Sequence, residues 1–265
     1  MQAAKIRPAA VAGMFYPGSA HSLQAELAEL TSNASDVEAS GVKAIIAPHA
    51  GYIYSGQVAA RAFAALRQTA QQITRVVVIG PAHYVPFRGI AVPAAHAFET
   101  PLGRIPVAQE ALASIADLPF VSINDAAHAP EHALEVELPF LQVLLRRFEI
   151  IPLLVADATP DEVAEVLRTV AAGADTLIVV SSDLSHYYDY EAARRLDAAT
   201  AASIERYAWD ELTANNACGF LSIAGMFIEG VRPGLKVHRL ALCNSGDTAG
   251  NRRPVVGYGA WAFTA

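Results

Sequence analysis

Arg75-Val76-Val77-Val78-Ile79 is apolar without alternation, as a strand covered on both faces must be, and it runs through Gly80-Pro81-Ala82 to stop on His83. The same pattern occurs upstream, where Lys43-Ala44-Ile45-Ile46-Ala47-Pro48 ends on His49. It occurs again downstream, where Thr176-Leu177-Ile178-Val179-Val180 ends on Ser181-Ser182-Asp183-Leu184-Ser185-His186. Ile150 to Val155 reads as another buried strand, Lys236 to Leu242 as a late strand ending on Cys243, and Val255 to Phe263 as the last. Helical patterns lie between them: one capped by Ser22, one from Ser55-Gly56 to about Leu66, and one from Pro130 through Phe148. A fourth starts at Asp157 to Thr159, and a long one covers Tyr190 to Gly230 with a break near Asn215-Asn216. Strands separated by helices of this length predict a single-domain, three-layer α/β/α fold around a mainly parallel central sheet, with antiparallel edge strands on the C-terminal side.

Hydrophobic residues make up 53% of the 265 positions and charged residues 17%, enough apolar surface for a large core. No stretch is rich enough in Pro, Gly and Ser to divide the chain, so residues 1–265 are expected to form one domain. The formal charge of −7, with no run of Lys and Arg, disfavours nucleic acid and anionic membrane surfaces as partners. Met1 to Pro8 lacks the apolar stretch of a signal peptide, and no run approaches the roughly 18 apolar residues needed to span a bilayer, so a cytoplasmic location is expected. The two cysteines, Cys218 and Cys243, lie in segments of different character, and a structural disulfide would suit a smaller, secreted domain better.

In open α/β sheets the functional crevice lies beyond the carboxyl ends of the strands. Four strands deliver a coordinating or titratable group there: His49, His83, the pair Asp183 and His186, and Cys243. Two neutral imidazoles and a thiolate make a three-donor metal site with open positions, and sulfur shifts the preference toward iron, copper or zinc and away from magnesium. His186 is expected to move protons, with Asp183 fixing its tautomer. Tyr52, Tyr54 and His132 are expected to line the pocket. Cys218, in an apolar helical stretch, reads as a small buried hydrophobe, and His21, His96, His128 and His238 as structural or surface residues.

Five motifs occur in order: Pro48-His49-Ala50-Gly51-Tyr52-Ile53-Tyr54-Ser55-Gly56, Gly80-Pro81-Ala82-His83, Glu131-His132-Ala133-Leu134-Glu135-Val136-Glu137-Leu138-Pro139-Phe140, Ser181-Ser182-Asp183-Leu184-Ser185-His186, and Leu242-Cys243-Asn244-Ser245-Gly246-Asp247. Together they resemble the Memo family over nearly the whole chain, from the Arg7-Pro8 to Tyr16-Pro17 arm to the Gly257-Tyr258-Gly259 strand. The prokaryotic members resemble protein B of the AmmeMemoRadiSam system, which implies association with AMMECR1-like and radical-SAM proteins. The resemblance further implies the LigB-type fold of class III extradiol dioxygenases, non-heme enzymes that bind iron(II) through two histidines and a glutamate. It places His49 and His83 at the two histidine ligands, Cys243 at the glutamate, and His186 at the acid/base histidine. Iron(II) is the metal it implies first, with copper or zinc next.

Three functions follow as expectations. The first is a non-heme, dioxygenase-like redox enzyme acting on a small molecule. The second is a non-catalytic metal-binding or peptide-binding adaptor that keeps a vestigial dioxygenase pocket. The third is hydrolysis with Cys243 as nucleophile, which lacks the strained strand-to-helix turn and leaves two histidines unexplained.

Overall fold

The uniformly apolar runs become strands at the centre of the molecule. The computed structural model describes residues 5–34, 41–230, 235–248 and 250–265. Its strands are β1 (Ile6–Arg7), β2 (Val42–Ala47), β3 (Arg75–Pro81), β4 (Gly89–Val92), β5 (Ala97–Thr100), β6 (Gly103–Pro106), β7 (Val121–Ile123), β8 (Glu149–Ala156), β9 (Thr176–Ser181), β10 (His186–Tyr188), β11 (Lys236–Asn244) and β12 (Val255–Thr264). The principal helices are α1 (Ala20–Ser32), α2 (Tyr52–Ala64), α3 (Gln109–Ala113), α4 (Asp125–His128), α5 (Leu138–Leu144), α6 (Pro160–Val170), α7 (Tyr190–Glu205), α8 (Phe220–Gly225) and α9 (Ser245–Thr248).

The large sheet runs β10-β12-β2-β9-β3-β8-β4-β7, with β11 also paired to β12. At its centre β2, β9, β3 and β8 are mutually parallel. The strands that flank this block are antiparallel to it: β12 on β2, and β4 on β8. Residues Val76 to Ile79 are fully buried, as covering by helices on both faces requires. Helices α1, α2 and α5 pack on one another, as do α6 and α8, giving three layers. Thr159 and Glu162 close a capping box at the start of α6, whose buried Val163, Val166, Leu167 and Val170 recur at helical spacing. At Gly225 of α8 an added Cβ would lie 2.3 Å from Val163 Cγ1, so the glycine sets how closely α8 approaches α6. Among the described residues no helix is long and apolar enough to cross a membrane.

The differences from expectation have local causes. Helix α1 is capped by Ser19, whose side chain accepts the Ser22 N–H, one turn before the expected cap. The helix expected from Pro130 shrinks to a 3₁₀ turn at Glu135–Glu137 followed by α5, because the Glu131 carboxylate takes the N–H groups of His132 and Ala133. The helical stretch expected to reach Gly230 does so, through α8 and a π-helix at Met226–Gly230, but its break opens earlier and is wider than expected, because α7 ends at Glu205. Tyr207, at φ 58°, turns the chain, and Thr213 and Asn216 tie down a loop by side-chain hydrogen bonds before α8. Strands β4 to β7, between the expected elements, are short and carry no long apolar run to announce them.

Candidate metal centre

Because β2, β9 and β3 are adjacent and parallel, their carboxyl ends open onto one edge. Two residues past β2 stands His49, two past β9 stands Asp183, and two past β3 stands His83. A cavity of about 580 Å³ lies over this edge, lined by His49, His83, His132, Asp183, His186 and Cys218, with Phe15, Tyr54, Tyr84, Ser245 and Tyr258 among its walls.

Three imidazoles converge there. One nitrogen from each of His49, His83 and His132 lies within 4.8 Å of the other two. The rings of His83 and His132 stack with centroids 4.8 Å apart, and the His49 ring stands edge-on to both. All three have Nδ1 engaged by another side chain. His83 Nδ1 lies 2.9 Å from Glu131 Oε1, and the same carboxylate accepts the His83 backbone N–H at 2.6 Å. A carboxylate only accepts, so the proton is on Nδ1 and Nε2 keeps its lone pair. Burial alone would raise the Glu131 carboxyl, but the hydrogen bonds from His83 hold it below its ordinary value. Tyr84 Oη approaches His132 Nδ1 at 3.2 Å.

Behind His49 the hydrogen bonds fix a second tautomer. Its Nδ1 lies 2.7 Å from Ser181 Oγ, which is itself 2.6 Å from the Ala133 carbonyl and 2.9 Å from Glu137 Oε1. A hydroxyl has one proton to give. The set closes when Ser181 donates to Ala133 and accepts from His49 Nδ1–H and from a protonated Glu137. Glu137 is fully buried, its Oε2 has no hydrogen-bond partner among the described residues, and burial pushes its carboxyl well above the ordinary value. Like His83, His49 therefore presents Nε2 outward. That nitrogen is 3.4 Å from Cys218 Sγ.

Burial lowers the pKa of His49 well below 6.5, that of His132 to about 4, and that of His186 as well, so these rings are neutral at pH 7. Burial raises Asp183 to about 7 even though its carboxylate accepts the His49 N–H at 2.8 Å. Asp183 is thus bonded to the His49 backbone, and among the described residues no hydrogen bond joins it to His186, so the expected Asp183–His186 pairing does not form.

Of the other expected residues, Tyr54 and His132 line the cavity. Tyr52 does not: it is buried in the core with its hydroxyl donating to the Val136 carbonyl at 2.9 Å, because α2 begins on it and turns it inward. Cys243 is not in the imidazole group and does not line the cavity. It lies opposite Tyr258 on β11, with its thiol raised to about 11 by burial and by Asp247. The thiol that reaches the cavity is that of Cys218, raised to about 12 by burial and by Asp183; it accepts the Asp183 N–H at 3.3 Å. Glu131, Ser181 and Glu137 were not singled out from sequence. The available signal was the charge-dense Glu131 to Glu137 stretch running into the wholly apolar Leu138-Pro139-Phe140-Leu141 of a charge-poor chain, which marks carboxylates that fold inward.

A model of the family described as "Memo-like protein" matches residues 7–262. Proteins described as "MEMO1 family protein" are similar across almost their full lengths. That of Aquifex aeolicus is 35% identical over 96% of this chain and 97% of its own length. That of Nitrosopumilus maritimus is 30% identical over 97% and 99%, and that of Methanosarcina mazei 34% identical over 97% and 98%. With the match end to end, and the motif histidines gathered over one sheet edge, the chain belongs to the Memo family.

Proposed function

We propose that the chain holds iron(II) first, copper or zinc next, between His49, His83 and His132, and with iron or copper bound acts as a non-heme oxidoreductase on a small organic molecule. The observation that carries this reading is the convergence of three imidazoles, two of them with Nδ1 occupied by Glu131 and Ser181 so that Nε2 carries the lone pair. Metal-ligating histidines need this arrangement behind them. The donor set fits a borderline metal better than magnesium or calcium. When bound, iron or copper would supply Lewis-acid polarisation and one-electron exchange, and zinc the polarisation alone.

The chain's own groups do the rest. Phe15, Tyr54 and Tyr258 wall the cavity with rings against which an apolar substrate can lie. Asp183, titrating near 7, can hold or release a proton at neutral pH, and the neutral His186 ring on the same cavity can take one. Glu131 and Ser181 keep the ligand rings in register.

The exposed Tyr54, Tyr84 and Tyr187 at the mouth favour a second reading, a metal-holding surface for a peptide without turnover. Oxygen uptake by anaerobically iron-loaded protein, screened over catechols and other small phenols, separates the two. Uptake that depends on substrate and falls at least about a hundredfold in His186→Ala, with metal content kept, is expected of the enzyme. Full metal content with no uptake for any compound supports the adaptor.

A further inference from the structure

A second cavity lies at the other end of the sheet. It has a volume of about 840 Å³ and opens between the β5–β6 hairpin, the Leu145 to Phe148 loop and the start of β3. Strand β3 begins on Arg75 at this cavity and leads to His83 at the other, so the two are roughly 20 Å apart at about 3.3 Å per residue.

Its walls concentrate positive charge in a chain whose net charge is −7. Arg75, Arg104, Arg146 and Arg147 line it, against Glu149 as the one acid in the lining. Arg104 is engaged by Glu99 at 3.1 Å. Arg146 and Arg147 are exposed, and among the described residues neither has an ion-pair partner. Among the described residues the buried Nε–H of Arg75 has no acceptor, although backbone and carboxylate groups of Asp175 lie near its base. A buried guanidinium N–H is rarely left unsatisfied without an ion or water to meet it. No single stretch of sequence shows this cluster: only Arg146 and Arg147 are adjacent, and the fold supplies the other two from separate elements.

We infer that this cavity binds an organic phosphate of nucleotide size. Guanidinium groups match phosphate oxygens in paired hydrogen bonds and keep their charge at any physiological pH, which selects phosphate over a neutral ligand. Inorganic phosphate would leave most of the volume empty, whereas the volume falls in the range of sites for small organic molecules. Leu102, Val143 and the Phe148 ring provide the apolar wall for an organic moiety. The ligand spans the two kinds of wall, its phosphate on Arg146 and Arg147 and its body on Phe148.

Isothermal titration of the full chain at low ionic strength with ADP, pyrophosphate and adenosine tests this. ADP is expected to bind at about one site per chain, more tightly than pyrophosphate, with an affinity that falls as salt is added, while adenosine binds at least about tenfold more weakly. Arg146→Ala/Arg147→Ala should weaken ADP at least about tenfold with an unchanged thermal midpoint, since both side chains are exposed. His83→Ala should leave ADP binding unaltered. No saturable binding of ADP, equal affinity for pyrophosphate or adenosine, or full affinity in the double variant would overturn the assignment.

Discussion

Glu131 shows how much one buried carboxylate can organise. It accepts from the ring and backbone of His83 and from the backbone of His132 and Ala133, so it sets the tautomer of one candidate ligand and the position of another. Glu131→Gln keeps the shape and puts an amide donor where an acceptor is needed. Metal affinity is expected to drop about 10- to 100-fold, read by competition with a chromophoric chelator, with the far-ultraviolet circular dichroism unchanged. Unaltered affinity would mean that His83 needs no orienting partner. His49, His83, Asp183 and His186 were legible from sequence because each follows a buried strand, and strand ends are where parallel sheets expose chemistry. The reach of Cys218 into the cavity was not legible, because an apolar helical neighbourhood gives no sign of which face a thiol takes. Tyr52 follows a candidate ligand closely, which suggests a pocket residue, but the first turn of α2 rotates it into the core.

The elements that matter most for the cavity are its irregular ones. The arm before α1 is fastened by Arg7, which is buried and paired with the equally buried Glu135 and donates as well to the carbonyls of His128 and Glu131. Glu135 in turn accepts the N–H groups of Ala10 and Val11 and the Tyr16 hydroxyl. This one carboxylate holds the arm that carries Phe15 to the cavity wall. Glu135→Ala leaves the Arg7 guanidinium buried without its counter-charge, at a cost of about 3–5 kcal/mol. For a domain of this size the thermal midpoint is expected to fall by roughly 10 °C. A shift of less than about 2 °C would show that the arm is held by its apolar contacts alone. The sequence displayed the arm as a Pro- and Gly-punctuated segment, yet its anchor lies 128 residues away, and pattern reading has no access to such a pair.

At the scale of the whole molecule, the central four parallel strands and the antiparallel strands on the C-terminal side were readable from apolar runs, and the strands between residues 84 and 125 were not. That stretch contains the short β4 to β7, and it is knitted to the rest partly by His128, whose Nε2 lies 3.0 Å from the Ala91 carbonyl. Burial lowers the His128 pKa to about 4 from an ordinary 6.5. Because the unfolded chain takes up this proton first, stability is expected to fall as pH drops from about 6.5 toward 4, by roughly 3 kcal/mol from this residue, and not to change further on its account below that range. Denaturant unfolding of His128→Gln should show a visibly shallower loss across that window than the parent chain. Parallel slopes for the two proteins would assign the acid sensitivity to other groups, the buried His49 and the half-buried His132 first among them.

If the three imidazoles over the β2, β9 and β3 ends hold a metal, elemental analysis of anaerobically purified protein beside His83→Ala, His132→Ala and Cys243→Ala will register it. About one iron or copper per chain is expected in the parent and in Cys243→Ala, with loss in His83→Ala and a strong decrease in His132→Ala. Full metal in His132→Ala together with loss in Cys243→Ala would contradict the three-imidazole site, and would make the β11 thiolate the third donor in place of the imidazole.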